Sequence, residues 1–257
     1  MKVLILAGGY GTRLGNITEA IPKPMVKIGP HPILWHIMKI YAAFGHKDFI
    51  LSLGYKAEVV KQYFYDYNAL ANDFTINLGS KRMDIHGRHD EGDWNVTLVD
   101  TGVNTLKGAR VKRVERFLDD VNMMTYGDGV ADIDLDALLA FHTAHGKMIT
   151  ITGVHPPARF GEVLEEGGRV LSFQEKPQTS SGLINGGFMV FNRKLLELLS
   201  VDEKCDLEFG CFESLARAGE IMVHKHDGRW ECVDTERDLA HLNVLWNQDK
   251  AFWKSWR

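Results

Sequence analysis

Short apolar runs alternate with stretches of helical periodicity along most of the chain, the pattern of a largely parallel sheet covered by helices. Val3-Leu4-Ile5-Leu6 is continuously apolar, as a strand buried on both faces requires. Pro32 stands where a helix begins, and Ile33, Leu34, Ile37, Met38 and Tyr41 then recur at helical spacing. Residues 49–53 read as the next strand and 57–64 as the helix after it. Runs at 74–78 and 96–99 add strands, and 109–117 has helical character. Residues 123–126 form a strand that ends in Gly127-Asp128-Gly129, and 135–145 a helix that Asp134 caps. The second half changes texture: β-type runs at 148–154, 169–175 and 184–191 lie between Gly/Pro-rich turns, so the sheet there is expected to be mixed. No repeat or low-complexity linker divides the chain, and the polar stretch 80–93 reads as its longest loop. His86 and His89 in that loop are weak metal candidates, because charged surface loops often carry histidines.

With 257 residues, 45% hydrophobic and 25% charged, the composition is that of a folded chain with a sizeable core rather than a disordered one. A net charge of −4 gives no basic excess that would suggest nucleic acid or a membrane surface as partner. Cys205, Cys211 and Cys232 are odd in number and match no zinc or redox spacing. Reduced thiols in the cytoplasm are therefore expected. The apolar N-terminus breaks into glycine and charge too early for a signal peptide or a membrane span.

Candidate chemistry begins directly after the first strand, in Leu6-Ala7-Gly8-Gly9-Tyr10-Gly11-Thr12-Arg13-Leu14. Glycines let a backbone approach phosphate closely and turn its N–H groups toward it, and Arg13 adds a charged donor. The spacing is neither the full dinucleotide fingerprint nor a P-loop, and glycine-rich turns follow many α/β strands. Pro22-Lys23-Pro24-Met25 comes next. Two prolines fix the backbone on either side of Lys23, which suits a lysine presented to polyphosphate and also a surface lysine in a rigid turn. Asp128 follows a hydrophobic strand, and Asp234 precedes a helix that Thr235 and Asp238 can cap. Carboxyl ends of strands in an open sheet gather at one edge, where two carboxylates can share one Mg²⁺ with substrate phosphate oxygens. Either acid could also be a simple helix cap. Gln174-Glu175-Lys176-Pro177 delivers an acid and a base side by side, a ligand contact if the chain bends there and otherwise an exposed ion pair.

Taken in order, Gly-Gly-x-Gly-Thr-Arg-Leu, Pro-Lys-Pro-Met, Gly-Asp-Gly, Glu-Lys-Pro and Trp-x-x-x-Asp-Thr resemble the sugar-phosphate nucleotidyltransferase family. Residues 33–38, 94–102, 126–132 and 253–256 are similar, more narrowly, to its members that use CTP and glucose 1-phosphate. The resemblance implies an α/β, Rossmann-like fold with a mixed, mostly parallel central sheet flanked by helices and a smaller β-rich sugar-binding part. It implies one domain over 1–257, with about 1–135 serving the nucleotide and about 136–257 the sugar phosphate. The implied reaction transfers a cytidylyl group from CTP to glucose 1-phosphate, giving CDP-glucose and pyrophosphate with Mg²⁺, as nucleotide-sugar supply for deoxysugar and O-antigen polysaccharide. A thymidylyl- or uridylyltransferase acting on a hexose 1-phosphate is the near alternative, and a non-catalytic nucleotide-sugar sensor the distant one.

The same resemblance assigns roles. Leu6, Ala7, Gly8, Gly9, Gly11, Thr12, Arg13, Lys23 and Gly127 would surround the nucleotide. Thr105, Gly108 and Arg110 would approach the base, with Arg110 as donor to cytosine; a Thr-Gly-Gly-Arg-like turn is expected there, and the sequence departs from it with Ala109 in place of a glycine. Arg13, Lys23, Asp128 and Lys176 would be catalytic, and Asp128 and Asp234 would hold the metal. Gly161, Glu175, Lys176, Asn185 and Gly186 would line the sugar-phosphate pocket. A homo-oligomer, up to a hexamer, is implied as well. Trp246, Phe252, Trp253 and Trp256 could serve its interface or pack on their own subunit.

Overall fold

A computed structural model describes residues 1–15, 17–156, 162–174 and 182–256, with the backbone alone for Arg13, 162–165 and 172–174. Its centre is an eight-stranded sheet. We label the strands β1 (Val3–Leu6), β2 (Asp48–Leu53), β3 (Asn95–Asp100), β4 (Val121–Tyr126), β5 (Ile149–Val154), β6 (Ile184–Asn185), β7 (Met189–Asn192) and β8 (Ile221–His226). From one edge the order is β3, β2, β1, β4, β7, β5, and β5 also pairs with β6 and β8. The β1–β2, β1–β4, β2–β3 and β5–β8 pairs are parallel, whereas β4–β7, β5–β7 and β5–β6 are antiparallel. The fold is thus the expected α/β type with a mixed, mostly parallel sheet, and strands from both halves of the chain share it.

Alternation along β1 explains its unbroken apolarity. Val3 and Ile5 join one buried cluster, with Ile33, Leu34 and Ile37 of the helix Ile33–Ala43. Leu4 and Leu6 join the cluster on the opposite face, with Val111, Leu207 and Leu215. Helices therefore cover both faces, and the carboxyl ends of β1, β2 and β4 open together at one rim.

The stretch expected as the longest loop is partly a strand. Met83–His86 pairs antiparallel with Asp73–Ile76 in a ribbon apart from the main sheet. Met83 and Ile85 alternate with polar Asp84 and His86, and their partners are Ile76 and Phe74, which gives the ribbon one apolar face. His86 Nε2 bonds Thr75 Oγ1 at 2.7 Å and His89 faces Glu91 at 3.5 Å. Among the described residues no group of three or more His, Cys, Asp or Glu side chains converges as a metal site.

The aromatic tail packs on its own subunit. Trp253 is fully buried and donates from Nε1 to His36 Nδ1 at 3.3 Å. Trp246 and Trp256 surround the same imidazole, with ring centroids 4.8 and 6.1 Å from it. Among the described residues no helix is long and apolar enough to cross a membrane.

Candidate active site

The glycine loop leaves β1 at the open rim and is held from behind. Ala7 N–H donates to Ser52 O at 3.0 Å, and Gly8 O accepts from Tyr55 N–H at 3.2 Å. Gly11 adopts φ +67° as it enters the short 3₁₀ turn Thr12–Leu14. A Cβ on Gly11 would lie 2.7 Å from Lys23 Cβ, so only glycine lets this loop rest against the lysine stem. Pro22 and Pro24 flank Lys23 in the turn Lys23–Met25, and the side chain reaches across the pocket.

Its ammonium ends between the two predicted acids, 2.6 Å from Asp128 Oδ2 and 2.7 Å from Asp234 Oδ1. These acids stand more than a hundred positions apart, and a small ribbon brings them together. Gly129–Ala131 pairs antiparallel with Trp230–Cys232, and Val233 N–H donates to Asp128 O at 2.9 Å. The helix Glu236–Asn247 then starts with a capping box. Thr235 Oγ1 accepts from Asp238 N–H, and Asp238 Oδ2 accepts from the Thr235 and Asp234 amides at 2.7 and 3.1 Å. Burial, the largest influence on Lys23, pulls its pKa down, but Asp128 and then Asp234 outweigh it and hold the ammonium above the ordinary lysine value. Cys232 lies beside these groups, and burial with the neighbouring carboxylates pushes its thiol up to about 12. That disfavours the thiolate a nucleophile needs.

The donor set suits a small divalent cation. Two carboxylates aimed at one point leave most of an octahedral shell to phosphate oxygens and water, the arrangement Mg²⁺ favours. A metal here and the Lys23 ammonium would compete for the same oxygens.

Leu6, Ala7, Gly8, Gly9, Gly11, Thr12, Lys23, Thr105, Arg110, Gly127, Asp128, Asn185 and Asp234 all line one cavity of about 800 Å³, within the usual size of a small-molecule site. A similar volume of about 860 Å³ lies by β3, walled by Phe64, Tyr67 and Trp94, and has neither the glycine loop nor the acid pair.

Three of the predicted residues also hold the walls of the site together. Gly108 is packed where Ala109 N–H donates to Cys205 O at 3.0 Å. Gly186 donates to Thr152 O at 2.9 Å and accepts from Trp230 Nε1 at 2.8 Å, so it positions an indole that does line the cavity. Thr105 is buried and its Oγ1 accepts from Arg113 Nη1 at 2.9 Å. The expected Thr-Gly-Gly-Arg-like turn is instead the start of the helix Lys107–Arg113, in which Ala109 is fully buried. A right-handed helical backbone has no need for glycine at that position.

Arg110 differs most from its expected role. Nη1 donates to Leu53 O at 2.9 Å and Thr101 Oγ1 at 2.8 Å, and Nη2 to Gly8 O at 3.0 Å and Val103 O at 3.1 Å. Four protein acceptors take up those two nitrogens, so Arg110 braces the cavity wall rather than offering them to a base. A Cβ on Gly8 would fall 2.2 Å from Arg110 Nη1, which ties the glycine to the brace.

Gly161, Glu175 and Lys176 lie outside the described residues, as does the side chain of Arg13. Several lining residues were not among the expected site residues. Tyr126 donates to Glu208 Oε1 at 2.7 Å and accepts from Asn185 Nδ2 at 3.0 Å. Lys107 pairs with the same Glu208 oxygen and lies 5.2 Å from the centre of the Tyr126 ring. Burial, then Glu208, raises the Tyr126 pKa, so its hydroxyl stays protonated as a donor. Tyr126 was findable as the residue before Gly127-Asp128 at a strand end. Glu208 was not, because it is placed by the irregular turn Leu207–Phe212 capped by Asp206.

Known proteins share this sequence and fold along nearly the whole chain. A family model described as nucleotidyl transferase matches residues 2–243. Glucose-1-phosphate cytidylyltransferase of Salmonella typhi is 48% identical over the whole of both chains. The probable glucose-1-phosphate cytidylyltransferase of Bacillus subtilis (strain 168) is 40% identical, again over the whole of both. Among solved structures, HddC from Yersinia pseudotuberculosis superposes with a TM-score of 0.68 at 22% identity, covering 95% of this chain and 99% of that one. A UDP-glucose pyrophosphorylase complexed with UDP-glucose gives 0.69 at 16% identity, covering 96% and 98%; both show the fold alone. On that family match and full-length kinship, the chain belongs to the nucleotidyl transferase family, alongside the glucose-1-phosphate cytidylyltransferases.

Proposed function

We propose that the protein transfers the cytidylyl group of CTP to glucose 1-phosphate, releasing pyrophosphate and forming CDP-glucose in a Mg²⁺-supported reaction. One observation carries this reading: Asp128 and Asp234 meet at one point beside a glycine loop, within a cavity large enough for a nucleotide. The names of the full-length relatives support the choice of CTP and glucose 1-phosphate.

An ionised oxygen of the sugar phosphate attacks the α-phosphorus in line. The new P–O bond forms as the bond from that phosphorus to the bridging oxygen breaks, and pyrophosphate leaves with the electron pair. The nucleophile already carries charge, so no general base is needed and the protein's contribution is positioning and charge stabilisation. Loop amides from Gly8 to Thr12, with Arg13, are assigned to the triphosphate, and Lys23 to the charge that develops on the departing pyrophosphate. Asp128 and Asp234 would hold Mg²⁺, which supplies charge neutralisation and orientation of phosphate oxygens when bound. Lys176 is assigned to the sugar phosphate, with Glu175 and Gly161 at the sugar hydroxyls and Asn185 beside them.

With both Arg110 terminal nitrogens engaged, base choice falls to residues 103–106. Asn104 there presents an amide whose Oδ1 accepts from Tyr10 at 2.5 Å. Buried partners left unpaired by a wrong base discriminate strongly, by up to about 10⁴-fold in a fully built site. The reading also takes the protein as a reduced cytoplasmic enzyme and a homo-oligomer, a hexamer being the size the family resemblance suggests. The three free cysteines support the first part.

Pyrophosphate release measured over CTP, UTP and dTTP against several hexose 1-phosphates, with and without chelator, tests the proposal. Release should be greatest with CTP and glucose 1-phosphate and vanish with chelator. Equal rates with the three nucleotides would overturn the cytidylyl assignment, and no release with any pair would favour a nucleotide-sugar sensor.

A further inference from the structure

The site binds its own lysine where a metal would sit. Lys23 Nζ is 2.6 Å from one acid and 2.7 Å from the other, and the side chain is 14% exposed. Two carboxylates brought this close repel one another unless a cation lies between them. A divalent cation taking the same oxygens displaces the ammonium, because two cations at contact distance in a partly buried site repel one another.

The lysine also has somewhere to go. Its Cβ lies against Gly11, where an added Cβ would be 2.7 Å away, so the base of the stem packs on the glycine loop while the head reaches the acids. A four-carbon stem can move its head by rotating the outer torsions while its base stays packed. The same cavity wall carries Gly8, Gly9, Gly11 and Thr12, the segment assigned to the triphosphate.

We infer that Lys23 is an exchangeable counterion: it holds Asp128 and Asp234 together in the free enzyme, and a nucleotide's phosphates draw it off so that a divalent cation can take its place. The inference rests on the proposed function, since it needs both a triphosphate and a metal at this site. Its consequence is an order of loading. Divalent cation binds the free protein poorly, and nucleotide and cation bind together better than either does alone, beyond the affinity of phosphate for metal. Lysine then arrives at the phosphates in the same event that fills the acid pair.

Mn²⁺ binding to the full-length protein, followed by electron paramagnetic resonance without nucleotide, tests this. Lys23→Gln, which keeps an amide donor near the acids, and Lys23→Met are compared with the unaltered protein, each also in combination with Asp128→Asn. Both Lys23 variants should bind Mn²⁺ at least about tenfold more tightly than the unaltered protein, and Asp128→Asn should remove the gain. Mn²⁺ should also raise the melting temperature of the Lys23 variants and leave that of the unaltered protein in place. The unaltered protein should acquire protein-bound Mn²⁺ once α,β-methylene-CTP is added. Equal Mn²⁺ affinity in all three proteins without nucleotide would overturn the inference and leave the transferase reading standing. No protein-bound Mn²⁺ in any of them, even with the CTP analogue, would overturn both.

Discussion

Arg110 illustrates how a charged residue beside a nucleotide pocket can be spent on the protein itself. It is only 4% exposed, and its bonds to Gly8 O, Leu53 O and Val103 O fasten the glycine loop to the ends of β2 and β3. Those three carbonyls come from distant parts of the chain and carry no side-chain signature. The role was therefore invisible in the sequence, where Arg110 read as a base contact. Lys23, Asp128 and Asp234 were legible because glycines, prolines and strand ends mark them locally. Even so, the sequence placed Lys23 at the phosphates, not between the acids. Truncating Arg110 to alanine removes four hydrogen bonds from one charged donor; Gly8 O keeps Tyr55 N–H and Leu53 O keeps Thr101, while Val103 O loses its guanidinium partner, at about 1–3 kcal/mol for a typical lost partner. We expect Arg110→Ala to lower the denaturation midpoint by a total on the order of 3 kcal/mol and to weaken nucleotide binding with it. An unchanged midpoint in urea unfolding would contradict the brace.

The two acids are delivered by elements rather than by neighbours in sequence. Asp128 leaves β4 and enters the ribbon strand Gly129–Ala131, whose partner Trp230–Cys232 leads straight to Asp234. Strands of three residues pair only because the core around Trp230 and Val130 holds them, so no periodicity announces them. The helix that follows was legible, since Thr235 and Asp238 form the expected cap. The ribbon Asp73–Ile76 with Met83–His86 was only half legible, for its second strand is short and polar enough to read as loop. Thr235→Ala should cost about 1 kcal/mol of stability. Because Asp238 also accepts from the Asp234 amide, the same change should raise the Mg²⁺ concentration needed for half-maximal pyrophosphate release. A titration that leaves this concentration unaltered would separate the cap from the metal acid.

At the scale of the whole molecule, the chain closes on itself through His36. Its Nε2–H donates to Ile28 O at 2.9 Å, and its Nδ1 accepts from the Trp253 indole, which ties the C-terminal tail to the helix Ile33–Ala43. Burial, opposed by the Ile28 carbonyl and assisted by His31, drives the His36 pKa down to about 4. Protonation would set a second N–H against that of the indole. The unfolded chain therefore holds more protons than the folded one between the ordinary value near 6.5 and about 4. Stability is fully present above that window and falls as pH drops through it. The loss should amount to about 3 kcal/mol by pH 4 from this group alone. Unfolding midpoints followed from pH 7 to pH 4 should show the decline, and His36→Gln should flatten it. An equally steep decline in that variant would remove His36 as its source. Sequence periodicity gave the apolar face of this helix, but not a buried imidazole ringed by tail tryptophans, because nothing local links position 36 to position 253.

The central claim is that Asp128 and Asp234 act as one cation site for the reacting triphosphate. Pyrophosphate release from CTP and glucose 1-phosphate by Asp128→Asn and Asp234→Asn tests it most directly, with melting temperatures verifying that each variant is folded. Each carboxamide should lower turnover by on the order of 10²–10³, the loss typical of one preorganised electrostatic element. Near-normal turnover in either folded variant would contradict the account.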